Sequence, residues 1–296
     1  MPRYLDAFAA RGIDVIQPEV DQQLGEEQLL EILGDVDGII AGDDILSARV
    51  LAAAPRLRII SKWGVGTDAI DKAAAAERGI TVTNTPGVFG DEVADVTMGY
   101  VLMLARGLHR IDRAVRDGRW LKVEGVTLAG RTLGVVGLGS IGLATARRGQ
   151  GFGMRVLGFD PAPQSQDRAR AAGVEVVDLP DLLAGSWAVC LNAPLNAGNH
   201  HMIDATALGL MRQGSVLVNT GRGPLVHEEA LIEALEVGRL AGAALDVFEV
   251  EPLPPDSRLR ALDSVILGSH NGSNTTEGVE RTSARAVENL FAYFEE

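Results

Sequence analysis

Three glycines are spaced as a dinucleotide-binding loop requires. Gly137, Gly139 and Gly142 form the motif G-x-G-x-x-G directly after the apolar run Thr132–Val136, and the helix-forming segment Ile141–Gln150 follows. In a strand–loop–helix unit the first glycine permits the tight turn and the second lets the backbone approach a pyrophosphate. The third lets the helix pack closely on the strand. The motif predicts that a pyrophosphate binds at the N-terminus of this helix.

Asp160 ends the next apolar run, Met154–Phe159. A carboxylate at this position accepts hydrogen bonds from both ribose hydroxyls and repels a 2′-phosphate, so the sequence predicts NAD rather than NADP. We expect Ser140 and Ile141 to contact the pyrophosphate, because unpaired N–H groups and the positive end of the helix dipole point at it there.

Three further segments with polar residues follow predicted strands, where ligands bind in open α/β sheets. In Asn219–Pro224, Arg222 stands between two glycines, a place suited to binding a carboxylate through two parallel hydrogen bonds. Asp246–Pro252 carries three acids, and Gly268–Gly272 carries His270. From the residues alone the acids are equally explained as solvated, and a lone histidine is more often structural than catalytic.

The other histidines and the single cysteine indicate no reactive site. We expect structural roles for His109, His200, His201 and His227, with His227 at the start of a helix. The adjacent pair His200–His201 lacks metal-ligand spacing, so no metal site is predicted. Cys190 lies within an apolar run and is expected to be buried and unreactive.

Composition excludes several classes of function. The chain has 296 residues, a net charge of −13, 46% hydrophobic residues and 23% charged residues. This is typical of a soluble protein, and the length favours two domains. The acidic balance argues against nucleic-acid and membrane partners, since it repels anionic surfaces. Without an apolar run of membrane-spanning length or a signal peptide, a cytoplasmic location is predicted.

Alternating strand and helix patterns predict an α/β fold with parallel sheets. We expect a smaller, flavodoxin-like substrate-binding domain formed by residues 1–90 and 272–296, and an NAD-binding domain with a Rossmann-type doubly wound sheet formed by residues 91–271. The chain opens on a helical pattern, and the first strand of the smaller domain is expected to be missing. A long helix over Asp91–Arg116, apolar on several faces, is predicted to be buried and to form a dimer surface.

The predicted strands of the smaller domain are Asp14–Ile16, Gly38–Ala41, Leu57–Ser61 and Thr81–Asn84. The seven predicted strands of the larger domain are Thr132–Val136, Met154–Phe159, Val174–Val177, Trp187–Ala193, Ser215–Asn219, Ala241–Val247 and Val265–Leu267.

Taken together, these motifs resemble one family. G-L-G-S-I-G with Asp160, N-T-G-R-G-P-L-V, A-L-D-V-F-E-V-E-P and H-N-G-S-N-T are similar to the D-isomer-specific 2-hydroxyacid dehydrogenases, and so is the upstream W-G-V-G-T-D-A-I-D. The match covers nearly the whole chain, and the phosphoglycerate dehydrogenase-like subgroup is resembled most. The resemblance implies an NAD-dependent oxidoreductase that interconverts a small D-2-hydroxy acid and its 2-oxo acid.

The resemblance also implies roles for individual residues. Arg222 would hold the substrate carboxylate and polarise its 2-oxygen, and His270 would be the acid/base. Glu251, just before Pro252, would hydrogen-bond the imidazole and keep it protonated; Glu249 occupies a variable place in the motif. An imidazolium is the appropriate donor near neutral pH, because reduction of a 2-oxo acid requires a proton on oxygen.

The remaining implied contacts concern cofactor and substrate. Asp246 would bind the nicotinamide carboxamide, with the Thr220 backbone nearby. The backbone N–H groups of Val65 and Gly66 would receive the substrate carboxylate. The other residues implied in the cofactor site are Pro194, Gly221, Arg222 and His270, and those implied in the substrate site are Lys62, Arg222 and His270.

The chain departs from the family pattern in places that concern substrate choice. Ser269 stands where proline is common, Ala69 where asparagine is frequent and Lys62 where arginine is frequent. Phosphoglycerate dehydrogenases have a basic residue near Gly42 that helps to bind the phosphate, whereas this chain has Asp43–Asp44. Two carboxylates would repel a doubly negative substrate. Lys62 would compensate this repulsion only in part. We therefore expect a substrate other than 3-phosphoglycerate, for an enzyme that is either phosphoglycerate dehydrogenase-like or hydroxypyruvate/glyoxylate reductase-like.

The expected partners are a small anionic 2-hydroxy or 2-oxo acid and a second copy of the chain, in a homodimer or a tetramer built from it. The alternative is an NAD(H)-gated, corepressor-like binding protein without physiological turnover, since this fold also serves corepressors. The set Arg222, Glu251 and His270 argues against it, because a sensor needs no proton donor. A formate dehydrogenase-like enzyme is a further alternative, against which Glu251 counts.

Overall fold

The computed structural model describes residues 2–20 and 23–295, and the chain divides into two compact units. The first unit comprises Met1–Val88 and Thr275–Glu296, and the second comprises Phe89–Asn274. Both are parallel α/β structures, so the predicted fold class is confirmed.

In the described part of the chain the strands are β1 (Gly38–Ala41), β2 (Ile59–Lys62), β3 (Thr81–Thr83), β4 (Thr132–Val136), β5 (Arg155–Phe159), β6 (Glu175–Val176), β7 (Ala188–Leu191), β8 (Val216–Asn219), β9 (Gly242–Leu245) and β10 (Val265–Leu267). The α-helices in the same ranges are α1 (Leu5–Ala9), α2 (Glu26–Ile32), α3 (Ala48–Ala52), α4 (Lys72–Glu77), α5 (Gly90–Arg106), α6 (Leu108–Arg116), α7 (Ser140–Gly151), α8 (Pro163–Ala171), α9 (Leu179–Gly185), α10 (Ala205–Leu210), α11 (Glu228–Glu236) and α12 (Thr276–Glu295).

The sheet of the first unit has the order β1-β2-β3, with all described strands parallel. Its central strand is buried on both faces. Ile60 packs on one face with residues of α2, α3 and α4, whereas Ile59 packs on the other with Phe8 of α1 and Val287 of α12. Because successive residues of a strand point to opposite faces, the continuous apolar run of β2 fits a sheet covered on both sides.

One predicted strand of the first unit is wrong. Asp14–Ile16 is irregular and pairs with none of the described strands, and its Val15 and Ile16 side chains are 39% and 65% exposed. A run this short forms a strand only when a neighbour supplies the ladder hydrogen bonds.

The sheet of the second unit has the order β10-β9-β8-β7-β4-β5-β6, again parallel throughout the described residues. Strand order reverses between β4 and β7, which is the topological switch point at which ligands bind in doubly wound sheets. The loops after β4, β7, β8, β9 and β10 therefore all belong to the carboxyl edge of one sheet.

The predicted long helix is instead two helices. Gly107 has φ +61°, ends α5 and begins α6, and a Cβ there would lie 2.8 Å from Val123. Glycine accepts this left-handed conformation without strain. α5 is buried along much of its length and packs on α7, β8 and β9. None of the helices in the described ranges is long and apolar enough to cross a membrane.

Candidate active site

The glycine loop joins β4 to α7, and its three glycines differ in what surrounds them. Gly137 has φ +90°, and a Cβ on it would lie 2.7 Å from the Ala193 backbone. A Cβ on Gly142 would collide with the carbonyl oxygen of Gly137. Gly139 instead faces open space, with no heavy atom within 4 Å of its Cβ position. Packing requires the first and third glycines, and the second leaves room for a pyrophosphate over the first turn of α7, at Ser140 and Ile141.

Asp160 fastens this loop from the end of β5. Its Oδ2 accepts the N–H of Leu138 and its Oδ1 accepts that of Ala162, both at 2.8 Å. Each carboxylate oxygen accepts more than one hydrogen bond, so both retain capacity for ribose hydroxyls. The carboxylate also places a negative charge where a 2′-phosphate would lie.

A buried hydrogen-bond chain crosses the switch point. Thr97 donates its hydroxyl hydrogen to the Val93 carbonyl at 2.7 Å, so its oxygen must accept from Thr220 at 2.8 Å. Thr220 in turn accepts from Asn192 Nδ2 at 2.9 Å. The buried Asn192 Oδ1 has no hydrogen-bond partner among the described residues. It offers an acceptor for a bound ligand, as a buried polar atom normally requires. Pro194, two residues on, is exposed.

The residues at this edge of the sheet fit NAD. They provide an open helix N-terminus at α7, the Asp160 carboxylate as an acceptor for ribose hydroxyls, and Asn192 Oδ1 as a buried acceptor without a partner among the described residues.

Arg222 is held by the residue that ends β8. Asn219 is 1% exposed, and its side-chain amide accepts the N–H of Gly221 at 3.1 Å and donates to the Arg222 carbonyl at 2.9 Å. Arg222 Nη1 donates to the Gly221 carbonyl at 2.8 Å. Gly223 packs against the Phe248 carbonyl so closely that a Cβ would collide with it. The turn that carries Arg222 is thus fixed against the loop that follows β9.

That loop carries Glu251, which is paired with His270. The distance between Glu251 Oε2 and His270 Nδ1 is 2.7 Å, and Glu251 Oε1 accepts the N–H of Phe248 at 2.9 Å. Both side chains are about one-fifth exposed, at 22% and 23%. A carboxylate on Nδ1 favours the tautomer with the proton on Nδ1, and the acid/base role expected of His270 stays a prediction.

Asp246 braces the backbone around His270. Its carbonyl accepts the His270 N–H at 2.7 Å, and its carboxylate accepts the N–H of Gly272 at 2.8 Å and the Tyr100 hydroxyl at 3.1 Å. Burial and the adjacent carboxylate raise the pKa of Tyr100, so its hydroxyl stays a donor. His270 itself has φ +54°, a conformation that needs such support in a residue other than glycine. The carboxamide contact expected of Asp246 stays a prediction.

In the first unit, the turn after β2 is fastened from the segment after β3. Gly64 has φ +125°, donates its N–H to Thr85 Oγ1 and accepts both the N–H and the hydroxyl of Thr85 on its carbonyl, each at 3.0 Å. Asn84 Nδ2 donates to the Val65 carbonyl at 2.8 Å. The N–H groups of Val65 and Gly66 donate to no residue of the described ranges, which suits the anion-binding role expected of them.

The residues expected to be structural lie where that role requires. Nδ1 of His227 accepts the Ala230 N–H at 3.2 Å and caps α11. His201 Nε2 lies 2.7 Å from Glu249 Oε1, whereas His109 is bonded to the Asp263 carbonyl and burial lowers its pKa. Cys190 is buried, which raises its pKa. Across residues 2–20 and 23–295, no group of three or more His, Cys, Asp or Glu residues is arranged to hold a metal ion.

Four further residues of the site are not predicted by the sequence motifs: Thr97, Tyr100, Asn192 and Asn219. The available signal was a polar residue within a buried apolar run, which applies to Asn192 and Asn219 at strand ends and to Thr97 in α5. Such residues are costly to bury without partners, so they mark fixed polar networks.

Comparison with known proteins identifies the family of this chain. Residues 98–272 match the model of the D-isomer specific 2-hydroxyacid dehydrogenase, NAD binding domain. A glyoxylate reductase of Korarchaeum cryptofilum is 40% identical over 96% of this chain and 89% of its own length. A hydroxypyruvate reductase of Thermotoga maritima is 37% identical over 91% of this chain and 89% of its own. The crystal structure of D-lactate dehydrogenase from Aquifex aeolicus with NAD and lactic acid has a TM-score of 0.86 and 29% identity, over 99% of this chain and 92% of that one. The chain therefore belongs to the D-isomer-specific 2-hydroxyacid dehydrogenases and is an NAD-dependent enzyme of that family.

Proposed function

We propose that the protein reduces a small 2-oxo acid to the D-2-hydroxy acid with NADH, and catalyses the reverse oxidation with NAD. The observation that carries this proposal is the 2.7 Å contact between His270 Nδ1 and Glu251 Oε2. It lies on a loop against which the turn of Arg222 is packed. A proton donor and a fixed cation are what the reduction of a carbonyl beside a carboxylate requires.

The proton balance follows from the tautomer of His270. With Nδ1–H donated to Glu251, the protonated imidazole carries a second proton on Nε2, which it transfers to the 2-oxygen of the substrate. NADH, when bound, would supply a hydride to C2, so that the carbonyl would gain one hydride and one proton and become a hydroxyl. His270 is left neutral, with Nδ1–H still bonded to Glu251, and regains a proton from solvent.

Arg222 and the turn after β2 are assigned to the substrate's negative charge. The guanidinium of Arg222 binds the carboxylate and offsets the charge that develops on the 2-oxygen. In the first unit, the N–H groups of Val65 and Gly66 are assigned to a substrate carboxylate, in agreement with their lack of donor contacts within the described ranges. Lys62, which ends β2 beside this turn, is assigned to the substituent on C2.

The test is oxidation of NADH, and of NADPH in parallel, by the purified protein with glyoxylate, hydroxypyruvate, 3-phosphohydroxypyruvate, pyruvate and bulkier 2-oxo acids. We expect turnover of at least one small acid, with NADH strongly preferred because Asp160 repels the 2′-phosphate of NADPH. Tight NADH binding without turnover of any acid would contradict the proposal and favour the corepressor-like alternative.

We further propose that the protein is a homodimer through α6 and the loop that follows it, and that it is cytoplasmic. Leu108 and Val115 on α6 are 47% and 45% exposed, and Trp120 is 84% exposed. Large exposed apolar side chains close in sequence favour an interface. We expect Trp120→Ser to shift the protein from dimer towards monomer in light scattering. A wild-type monomer, or a variant with unchanged mass, would contradict this assignment.

A further inference from the structure

The carboxyl ends of β1 and β2 hold a lysine whose ammonium group is buried. Ala41 and Lys62 are register partners, so the loop after β1 lies beside Lys62. The Lys62 side chain is only 4% exposed, and its Nζ donates to Asp43 Oδ1 and to the Trp63 carbonyl, each at 3.1 Å. An ammonium removed from water needs partners of this kind, because its desolvation is otherwise too costly.

The two acids expected to repel a phosphate have different roles. Asp44 is 8% exposed and turns inward, where its two oxygens accept the N–H groups of Leu24 and Gly42 at 2.8 Å each. The Asp44 carboxylate thereby stabilises the loop after β1. Asp43 is the acid that meets Lys62, and its side chain is 41% exposed. Of the two acids, Asp43 is therefore the one paired with the Lys62 ammonium, and the expected repulsion of a phosphate stays a prediction.

This ion pair adjoins the turn assigned to the substrate carboxylate. A Cβ on Gly64 would lie 3.4 Å from Lys62 Nζ, so the ammonium lies against the first residue of that turn. The next two residues, Val65 and Gly66, present the N–H groups that donate to no described residue. A 2-oxo acid bound to these N–H groups through its carboxylate would therefore lie beside the Asp43–Lys62 pair.

We propose that Asp43 determines substrate specificity by neutralising Lys62, so that the protein selects 2-oxo acids whose only charge is the carboxylate. The substituent on C2 is then uncharged, as in glyoxylate or hydroxypyruvate. A phosphate on C3 adds about two negative charges. The exposed Asp43 carboxylate repels these charges, because the Lys62 ammonium beside it is buried and already paired. This inference rests on the proposed function and deepens it.

The test is a gain of activity in Asp43→Asn, which keeps the shape of the side chain and removes its charge. We measure the ratio of kcat/KM for 3-phosphohydroxypyruvate to kcat/KM for hydroxypyruvate, because the ratio cancels any general loss of activity. With Lys62 no longer neutralised, we expect the ratio to rise at least ~10-fold, mainly through the KM of the phosphorylated acid. The rise is expected to shrink in high salt, since it comes from a partly exposed charge.

Two variants serve as controls. Asp43→Asn/Lys62→Met removes both charges and should lose the gain, while Asp35→Asn removes an exposed acid of the same unit and should leave the ratio unchanged. Should Asp43→Asn be too unstable to assay, Lys62→Met alone tests the same idea, because the uncompensated Asp43 should then lower the ratio below that of the wild type.

The result that overturns the proposal is a wild-type preference for 3-phosphohydroxypyruvate, or a ratio that does not respond to Asp43→Asn. Both outcomes require that the wild type reduces a 2-oxo acid. Absence of all turnover would instead contradict the proposed function, so the two failures are distinguishable.

Discussion

Replacing His270 with asparagine is expected to lower kcat for 2-oxo acid reduction by a factor of about 10²–10⁴, the usual contribution of a positioned general acid. Asparagine is the appropriate substitute because His270 has φ +54°, a conformation that asparagine tolerates better than most residues. Asp246 is hydrogen-bonded to the backbone of this loop, so the loop should keep its conformation in the variant. Steady-state kinetics at saturating substrate measure the loss.

Fluorescence titration with NADH distinguishes loss of chemistry from loss of structure. NADH affinity should stay within a few-fold of the wild type, because the substitution leaves unchanged the glycine loop and Asp160, which are distant from His270 in the sequence. His200→Asn, a change of the same kind at an exposed histidine, should leave turnover unchanged. Wild-type kcat in His270→Asn would show that another group delivers the proton.

Arg222→Lys is expected to lower kcat/KM for the 2-oxo acid by about 10²–10³, with a clear rise in KM. Lysine keeps the charge but cannot form the two parallel hydrogen bonds of a guanidinium to a carboxylate. Asn219 fixes the backbone on both sides of Arg222, so the shorter reach of lysine cannot be recovered by movement of the turn.

The matched control for this change is Arg212→Lys, at an exposed arginine in the same unit. Initial rates over a range of 2-oxo acid concentrations, together with NADH titration, separate substrate binding from cofactor binding. A variant with unchanged KM for the acid but weaker NADH binding would contradict the substrate-binding role of Arg222 and leave it the cofactor role alone.

The sequence predicted best those features that short segments determine by themselves. The glycine loop is one example, because Gly137 and Gly142 are required by contacts within a single strand–loop–helix unit and its neighbour strand. The strands of the second sheet are another, since strands buried on both faces need continuous apolar runs. The break at Gly107 was missed because a single glycine within a helical pattern does not by itself end a helix.

Features that depend on contacts between distant segments could not be predicted from the residues alone. Glu251 and His270 were assigned by family resemblance, and their pairing joins the loops after two different strands. Tyr100 reaches Asp246 from α5, across a large distance in sequence. The roles of Asp43 and Asp44 could not be separated in the sequence, because the direction of each carboxylate depends on the Leu24 and Gly42 N–H groups and on Lys62.

We propose a reaction in which a hydride and a proton are added to a 2-oxo acid with a fixed stereochemical outcome. Chiral analysis of the product formed from hydroxypyruvate and NADH tests it most directly, with NADH consumption measured in the same reaction. We predict D-glycerate as the sole enantiomer, one molecule for each NADH oxidised. L-glycerate, a racemic product, or no glycerate while NADH is bound tightly would contradict the proposed reaction.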